Sequence, residues 1–240
     1  YPIGYNPQAY TAIFGNSDLW RAAFNSFYVA IVGCVLGLIG TCVAAYPMAY
    51  GNFYGKKLYV IIIMFTMWFN AGIVPLFSLG LYDSLWALIL NSMITAYNVV
   101  IIRSYFSSIP FSVIESARID GATDYRILFQ LVIPLSKPVL ATVALWLIVG
   151  HWNDYLNPLG LIHSQEHKTL QLFLKELVLN AETSTSNLAS VNDATNKGVA
   201  ALSQQLKNGV LVVSMVPMLV LYPFLQKFFV SGVMLGSVKG

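Results

Sequence analysis

Apolar residues run through this chain in blocks long enough to cross a bilayer, and polar residues collect between the blocks. About 20 apolar residues span a hydrocarbon core as a helix. On that rule residues 22–50, 58–81, 84–102, 139–155 and 209–226 predict five spans. The first carries no Asp, Glu, Lys or Arg. Its Gly33 and Gly37 have G-x-x-x-G spacing, which lets helices approach closely, and read as general small-residue packing. In the second, Asn70-Ala71-Gly72 and Pro75 predict a kink or break, tolerable only where protein or water satisfies the backbone. The third carries Asn91, Thr95 and Asn98 at i, i+4 and i+7. As one helix it would turn all three toward the bundle or a wet cavity, for helix–helix hydrogen bonds or a substrate path. Pro217 falls inside the fifth.

The intervening stretches divide in the same way. Tyr1 to Trp20, with Pro2, Gly4, Asn6, Pro7, Gly15 and Asn16, reads as an extra-membrane segment with loops and room for one short helix. Residues 163–207 form a long polar outer loop. Within it, 169–179 has helical apolar spacing, and 181–197, rich in Ser, Thr and Asn, reads as loop.

Composition sharpens this picture. The chain is 57% hydrophobic and 10% charged, with a mean hydropathy of +0.68, where a soluble domain carries about 25% charged residues. It reads as all-α: one polytopic transmembrane bundle over residues 1–240, in contact with lipid. A net charge of +3 gives no reason to expect a nucleic-acid partner. Cys34 and Cys42 share one span, two turns apart, so they cannot form a disulfide with each other and read as small packing residues. The three histidines are scattered, and no metal-ligand spacing occurs. No Walker-type G-x-x-x-x-G-K-[ST] is present, so no nucleotide is expected on this chain by that device.

The most polar interruption is ESARIDGATDYRILFQLVIPLSKP, Glu115 to Pro138. Pro110 suits a first helical turn, with Ser107 or Ser108 as cap. Asp120-Gly121 should break that helix, because glycine tolerates the φ of a tight turn. Thr123-Asp124 should cap a second short helix through Leu131, and Pro134 and Pro138 should end it.

These residues resemble the EAA loop of type I ABC importer permeases, whose form is EAA-x-x-x-G followed at fixed distance by I-x-L-P. Glu115, Ala117, Gly121 and Pro134 match at the family spacing, with Ser116, Leu131 and Ile133 as small or apolar replacements. Asp120-Gly121-Ala122 is similar to the DGA of the carbohydrate-uptake branch. His151-Trp152-Asn153-Asp154-Tyr155 resembles the W-N-D-[FY] stretch of sugar permeases, and the C-terminal GSVKG resembles their G-x-V-K-G ending. LGLYDSLWALIL and YPFLQKFFVSGVMLGSVKG are most similar to the branch that imports complex oligosaccharides, alginate-type importers included.

The resemblance implies a MetI-like permease fold and a non-catalytic subunit of an ATP-driven importer. Two separate ATPase subunits would bind ATP and Mg and dock on the loop 107–138, at Glu115, Ser116, Ala117, Asp120, Gly121, Ala122 and Pro134, with Lys239 at the tail. A homologous second permease and a solute-binding protein would complete the assembly. The imported solute would be an oligosaccharide, acidic ones such as alginate included. Asn91, Thr95, Asn98, Trp152, Asn153, Asp154 and Tyr155 are the candidate path residues. For the last four, an interfacial aromatic belt is the competing role. A permease for a non-sugar solute, a secondary transporter or a structural membrane protein are the other readings. The absence of any mid-span charge argues against ion coupling.

Placing the loop in the cytoplasm of a bacterial inner membrane puts Lys56, Lys57, Arg103, Arg118, Arg126, Lys137, Lys227 and Lys239 inside. Arg21, Lys168, Lys175, Lys197 and Lys207 are then outside, all but Arg21 in the long loop. The C-terminus falls inside and Tyr1 outside. The family usually has six spans with both ends inside, so a further N-terminal span is expected to precede Tyr1.

Overall fold

The computed structural model describes residues 15, 17–51, 54–68, 72, 74–188 and scattered positions between 208 and 223. The helices are α1 (Ser17–Tyr50), α2 (Lys56–Trp68), α3 (Val74–Ser78), α4 (Leu85–Asn91), α5 (Ala96–Phe106), α6 (Phe111–Ile119) and α7 (Asp124–Ile127). A π-turn (Leu128–Val132) leads into α8 (Ile133–Leu135), followed by α9 (Lys137–Asn153) and α10 (Leu156–Leu161). A 3₁₀ turn (Gln165–His167) precedes α11 (Leu170–Leu188).

The long helix α1 is the spine. Its 34 residues reach about 51 Å, well beyond the ~30 Å hydrocarbon core. It begins at Ser17, so the last residues of the expected N-terminal loop are helical. Its two faces divide by size. Ala22, Ser26, Ala30, Gly33, Gly37, Thr41 and Ala45 are buried at i+3/i+4 spacing. Trp20, Phe24, Phe27, Ile31, Val35, Ile39 and Val43 are exposed. Lipid is as apolar as leucine, so hydrophobicity does not choose the inner face; close van der Waals approach does, and that selects small residues. Helices α9 and α5 make the most extensive contacts with this face.

The glycines show how tight the approach is. A β-carbon on Gly33 would lie 2.5 Å from His151 Nε2, and one on Gly37 would lie 2.8 Å from the Met93 carbonyl oxygen. The G-x-x-x-G pair therefore serves packing within the chain. Cys34 and Cys42 are free and buried in the same core, as expected of packing residues.

Two expectations about the helices change. Residues 84–102 do not form one helix: α4 and α5 meet at 51° across a break after Asn91. Asn91, Thr95 and Asn98 are therefore not a stripe on one helix. Thr95 is the N-cap of α5 and accepts a hydrogen bond from the Asn98 N–H at 3.4 Å, which favours starting a new helix there. In the second apolar block Gly72 is a turn residue at φ +63° between α2 and α3, as expected of a break there, and Pro75 stands in the first turn of α3; residues 69–71 and 73 lie outside the described residues. Residues 181–188, expected as loop, continue α11. Most of the fifth apolar block, the rest of the outer loop and Lys239 lie outside the described residues. Among the described residues one helix, α1, is long and apolar enough to cross a membrane by itself. Each of two bent pairs, α4 with α5 and α7–α8 with α9, passes the same test as a unit.

The Gly37 contact is with backbone that cannot swing away, whereas a β-carbon on Gly40 would meet the mobile Ile94 Cδ1 at 2.8 Å. Gly37→Ala is expected to destabilise the bundle by about 1–3 kcal/mol, and Gly40→Ala by clearly less. Thermal unfolding of both variants in detergent measures this, and equal midpoints would contradict it.

Candidate functional site

Two regions carry the residues nominated from the sequence. The first is the polar helix–turn–helix. Phe111 opens α6 after Pro110, which sits at the N-cap position with no side-chain cap. Ser107 and Ser108 instead close α5: the Ser107 N–H donates to the Arg103 carbonyl, and Ser108 Oγ donates to Tyr105 O at 2.7 Å. Helix α6 ends as expected at Asp120-Gly121. The Gly121 N–H donates to Arg118 O and the Ala122 N–H to Ala117 O, both at 3.0 Å. With Gly121 at φ +78°, this is a Schellman ending, which needs a left-handed residue where glycine stands. Thr123 precedes α7 without a side-chain cap bond. Asp124 is turned to another use: its Oδ1 accepts from Arg118 Nη2 and from Tyr46 Oη, each at 3.0 Å. The Asp124 carboxylate raises the Arg118 pKa. The ion pair is largely exposed, so it sets geometry more than stability. Through Tyr46 it fastens the polar segment to α1.

The helical path does not stop at Pro134. The π-turn widens the helix just before it, with the Ile133 N–H reaching back to Leu128 O. That widening makes room for a proline ring that would otherwise meet the carbonyl one turn earlier. The path ends at Leu135, and α9 departs at 85° with Pro138 in its first turn.

One face of this segment is anchored and the other is open. Ile114, Ile127, Leu128 and Val132 are buried in the main core with Met48, Ile102 and Phe106. Glu115, Ser116, Asp120, Gly121 and Pro134 are exposed, and Ala117 and Ala122 are half-buried. Phe111, Ile119, Tyr125 and Phe129 are also exposed. The exposed side, which also carries Arg118 and Arg126, therefore mixes acidic, basic and apolar groups on a scaffold fixed from behind.

The second region is a cavity of about 520 Å³ at the α4–α5 break and the far end of α9. Ser92, Thr95, Tyr97 and Asn98 line one side; Trp146, Leu147, Gly150, His151, Asn153, Asp154 and Asn157 line the other. It brings together Thr95, Asn98, Asn153 and Asp154 from the nominated set. Asn91, Trp152 and Tyr155 are not among its lining residues. Trp152 is 1% exposed and packs on Phe27, with ring centroids 5.0 Å apart. It is a core residue, because the helical turn that points Asn153 at the cavity points Trp152 away. Tyr155 lies under Lys175 Nζ, 5.9 Å from its centroid. Asp154 accepts from the Asn157 backbone N–H at 3.2 Å and from its side chain at 2.7 Å, tying the start of α10. Tyr97 and Trp146, whose ring centroids are 5.7 Å apart, did not stand out in the sequence, where they look like ordinary span aromatics.

The comparisons bear on both regions. Residues 37–183 match the family described as binding-protein-dependent transport system inner membrane component. The chain belongs to this family. The permease is 34% identical to the polygalacturonan/rhamnogalacturonan transport system permease protein YtcP of Bacillus subtilis, covering 100% of this chain and 84% of that protein. It is 36% identical to protein LplC of the same organism, over 100% of this chain and 81% of that one. Among solved structures it is similar to a bacterial ABC transporter involved in the import of the acidic polysaccharide alginate. There the TM-score is 0.81 at 31% identity, covering 95% of this chain and 81% of that chain. The MetI-like helical fold and the importer-permease reading stand, and the secondary-transporter reading does not. The helix–turn–helix lies inside the matched range, as does the cavity.

A further tie holds residues 163–170 of the permease. Asp83, at φ +59°, accepts from the backbone N–H groups of His163 at 2.8 Å and Ser164 at 2.9 Å. Asn25 donates to Glu166 O and Lys168 O, and Ser26 Oγ accepts from the Leu170 N–H. The Ser164 and His163 amides hold the Asp83 carboxyl below its ordinary value of 3.8. A depressed folded pKa stabilises the tie above 3.8, and that contribution is lost as pH falls through the lower folded value. Amide exchange at His163 and Ser164, corrected for intrinsic rates, is therefore expected to stay slow above pH 3.8 and to quicken as the pH falls below it. Asp83→Asn should abolish that pH dependence.

Proposed function

We propose that this permease moves an oligosaccharide through the cavity at the α4–α5 break, driven by a separate ATPase that docks on α6, its turn and α7. The cavity carries the reading. Amides from Asn98, Asn153 and Asn157, hydroxyls from Ser92 and Thr95, and the rings of Tyr97 and Trp146 line one space. That mixture suits a sugar, whose ring faces are apolar and whose rim is hydroxyl. Relatives named for polygalacturonan/rhamnogalacturonan and for arabinooligosaccharides support the solute class.

The rest of the assembly follows from the family. Two ATPase subunits hold ATP and Mg and supply the energy, a homologous second permease faces this one, and a solute-binding protein delivers the sugar from outside. This chain contributes the gate and no catalysis. The coupling elements and the C-terminus lie on the cytoplasmic side of the bacterial inner membrane, in keeping with the distribution of lysines and arginines. Closure of the ATPases pushes on α6 and α7. The buried residues Ile114 and Ile127 and the Tyr46–Asp124 bond transmit the push to α1, while α9 carries it along a straight rod to the cavity. Alternation between inward-open and outward-open arrangements follows from that rocking.

Complete complexes in proteoliposomes test the reading, with labelled trisaccharides offered together with the binding protein. Gly121→Val forces a β-branched side chain to φ +78°, at a local cost of about 1–2 kcal/mol. It should leave the permease in the membrane yet weaken ATPase copurification and abolish uptake. Glu115→Lys reverses a charge on the exposed face and should act similarly. Normal copurification and uptake in both variants would refute the docking assignment.

A further inference from the structure

The helix glycines of this permease fall into two kinds. Gly33, Gly37 and Gly40 are each held by a close neighbour, with a β-carbon meeting other atoms at 2.5–2.8 Å. Gly150 is different. It sits within α9, it is exposed, and a β-carbon there would meet nothing within 4 Å. Glycine weakens a helix interior relative to alanine, and no packing within the described residues accounts for it. Its open space is the cavity. Trp146 lies one turn before Gly150 on α9, with Asn153 and Asn157 further along the same side. Tyr97 packs beside Trp146 from across the break. His151, 7% exposed, also lines this cavity, but its Nε2 is turned onto Gly33 of α1.

We infer that Gly150 is a clearance position: its missing side chain opens a slot in which one sugar ring lies flat against Trp146 and Tyr97. Asn98 and Asn153 supply polar partners at the rim of that slot. Trp146 and Tyr97 are 41% and 54% exposed, so their faces are available to a passing ring. The described lining holds no lysine or arginine and a single carboxylate, Asp154, already bonded to Asn157. The slot therefore reads ring faces and hydroxyls, not carboxylates. This inference rests on the oligosaccharide reading above and assigns the ring-stacking role to residues other than Trp152 and Tyr155.

The test uses the complete complex in proteoliposomes, with its binding protein and two probes, a labelled arabinose trisaccharide and a labelled galacturonate trisaccharide. Gly150→Ala adds one carbon into open space and improves helix propensity, so recovery and melting midpoint should be unchanged or higher. Uptake of whichever probe the wild type transports should nevertheless fall about threefold, and about tenfold or more in Gly150→Leu. Trp146→Phe should keep most uptake and Trp146→Ala should lose it. Wild-type uptake that persists undiminished in Gly150→Ala and Gly150→Leu overturns the slot and leaves the oligosaccharide reading standing. Loss of the second permease from purified Gly150→Ala also overturns it, since the glycine would then serve a subunit contact. A wild-type complex that transports neither probe removes the oligosaccharide reading, and the slot with it.

Discussion

The close approach of α9 and the α4–α5 break to the glycine face of α1 is the constraint on which the rest of this permease depends. In lipid no hydrophobic force drives one helix onto another, so the bundle relies on tight contact and on satisfied polar groups. Gly37 is where both demands meet. It admits the carbonyl of Met93, which belongs to the irregular backbone between α4 and α5. Non-helical backbone at membrane depth is tolerable only against protein or a wet cavity, and here it has both. Met93 abuts α1, while Ser92 and Thr95 line the cavity. The glycine that packs the spine thus also permits the break that shapes the candidate path.

The same spine joins the two functional regions. At one end Tyr46 hydrogen-bonds Asp124, and Tyr50 hydrogen-bonds the Phe106 carbonyl. The polar segment is thereby held by a spanning helix and not merely strung between two of them. Farther along, Gly33 faces His151, which lines the cavity. Helix α9 starts beside the polar helix–turn–helix at an 85° corner and ends at the cavity wall. Ser136 is fully buried at that corner. A displacement of the polar helix–turn–helix has two routes to the cavity, α1 and α9, which pack against each other.

The outer segment shows a different way of fixing chain. Side chains of Asn25, Ser26 and Asp83 bond main-chain groups of residues 163–170. Such bonds satisfy backbone groups that no helix covers. They fix the start of α11 over one end of α1, where Leu19, Trp152, Leu170 and Leu174 form a small core of their own. Trp152 belongs to that core, which is why a residue that looks like a sugar platform in the sequence is inaccessible in the fold.

The sequence alone determined the class of the protein, because apolar blocks of spanning length and scarce charge leave only a membrane bundle. It also determined the turn at Asp120-Gly121, since the Schellman ending there is local: glycine, its φ and two backbone bonds lie within a few residues. The exposed Glu115 and Asp120 followed from the same stretch. What the tertiary structure decided was everything that depends on a neighbour distant in the chain. The stripe Asn91, Thr95 and Asn98 dissolved, because the break that divides it is accommodated by Gly37, far away in sequence. Trp152 and Asn153, adjacent in sequence, parted to core and cavity by helical rotation alone, and only the position of α1 says which side is which. Gly33, Gly37 and Gly150 are identical as letters. Two are filled by neighbours and one is left open, and that difference exists only in three dimensions.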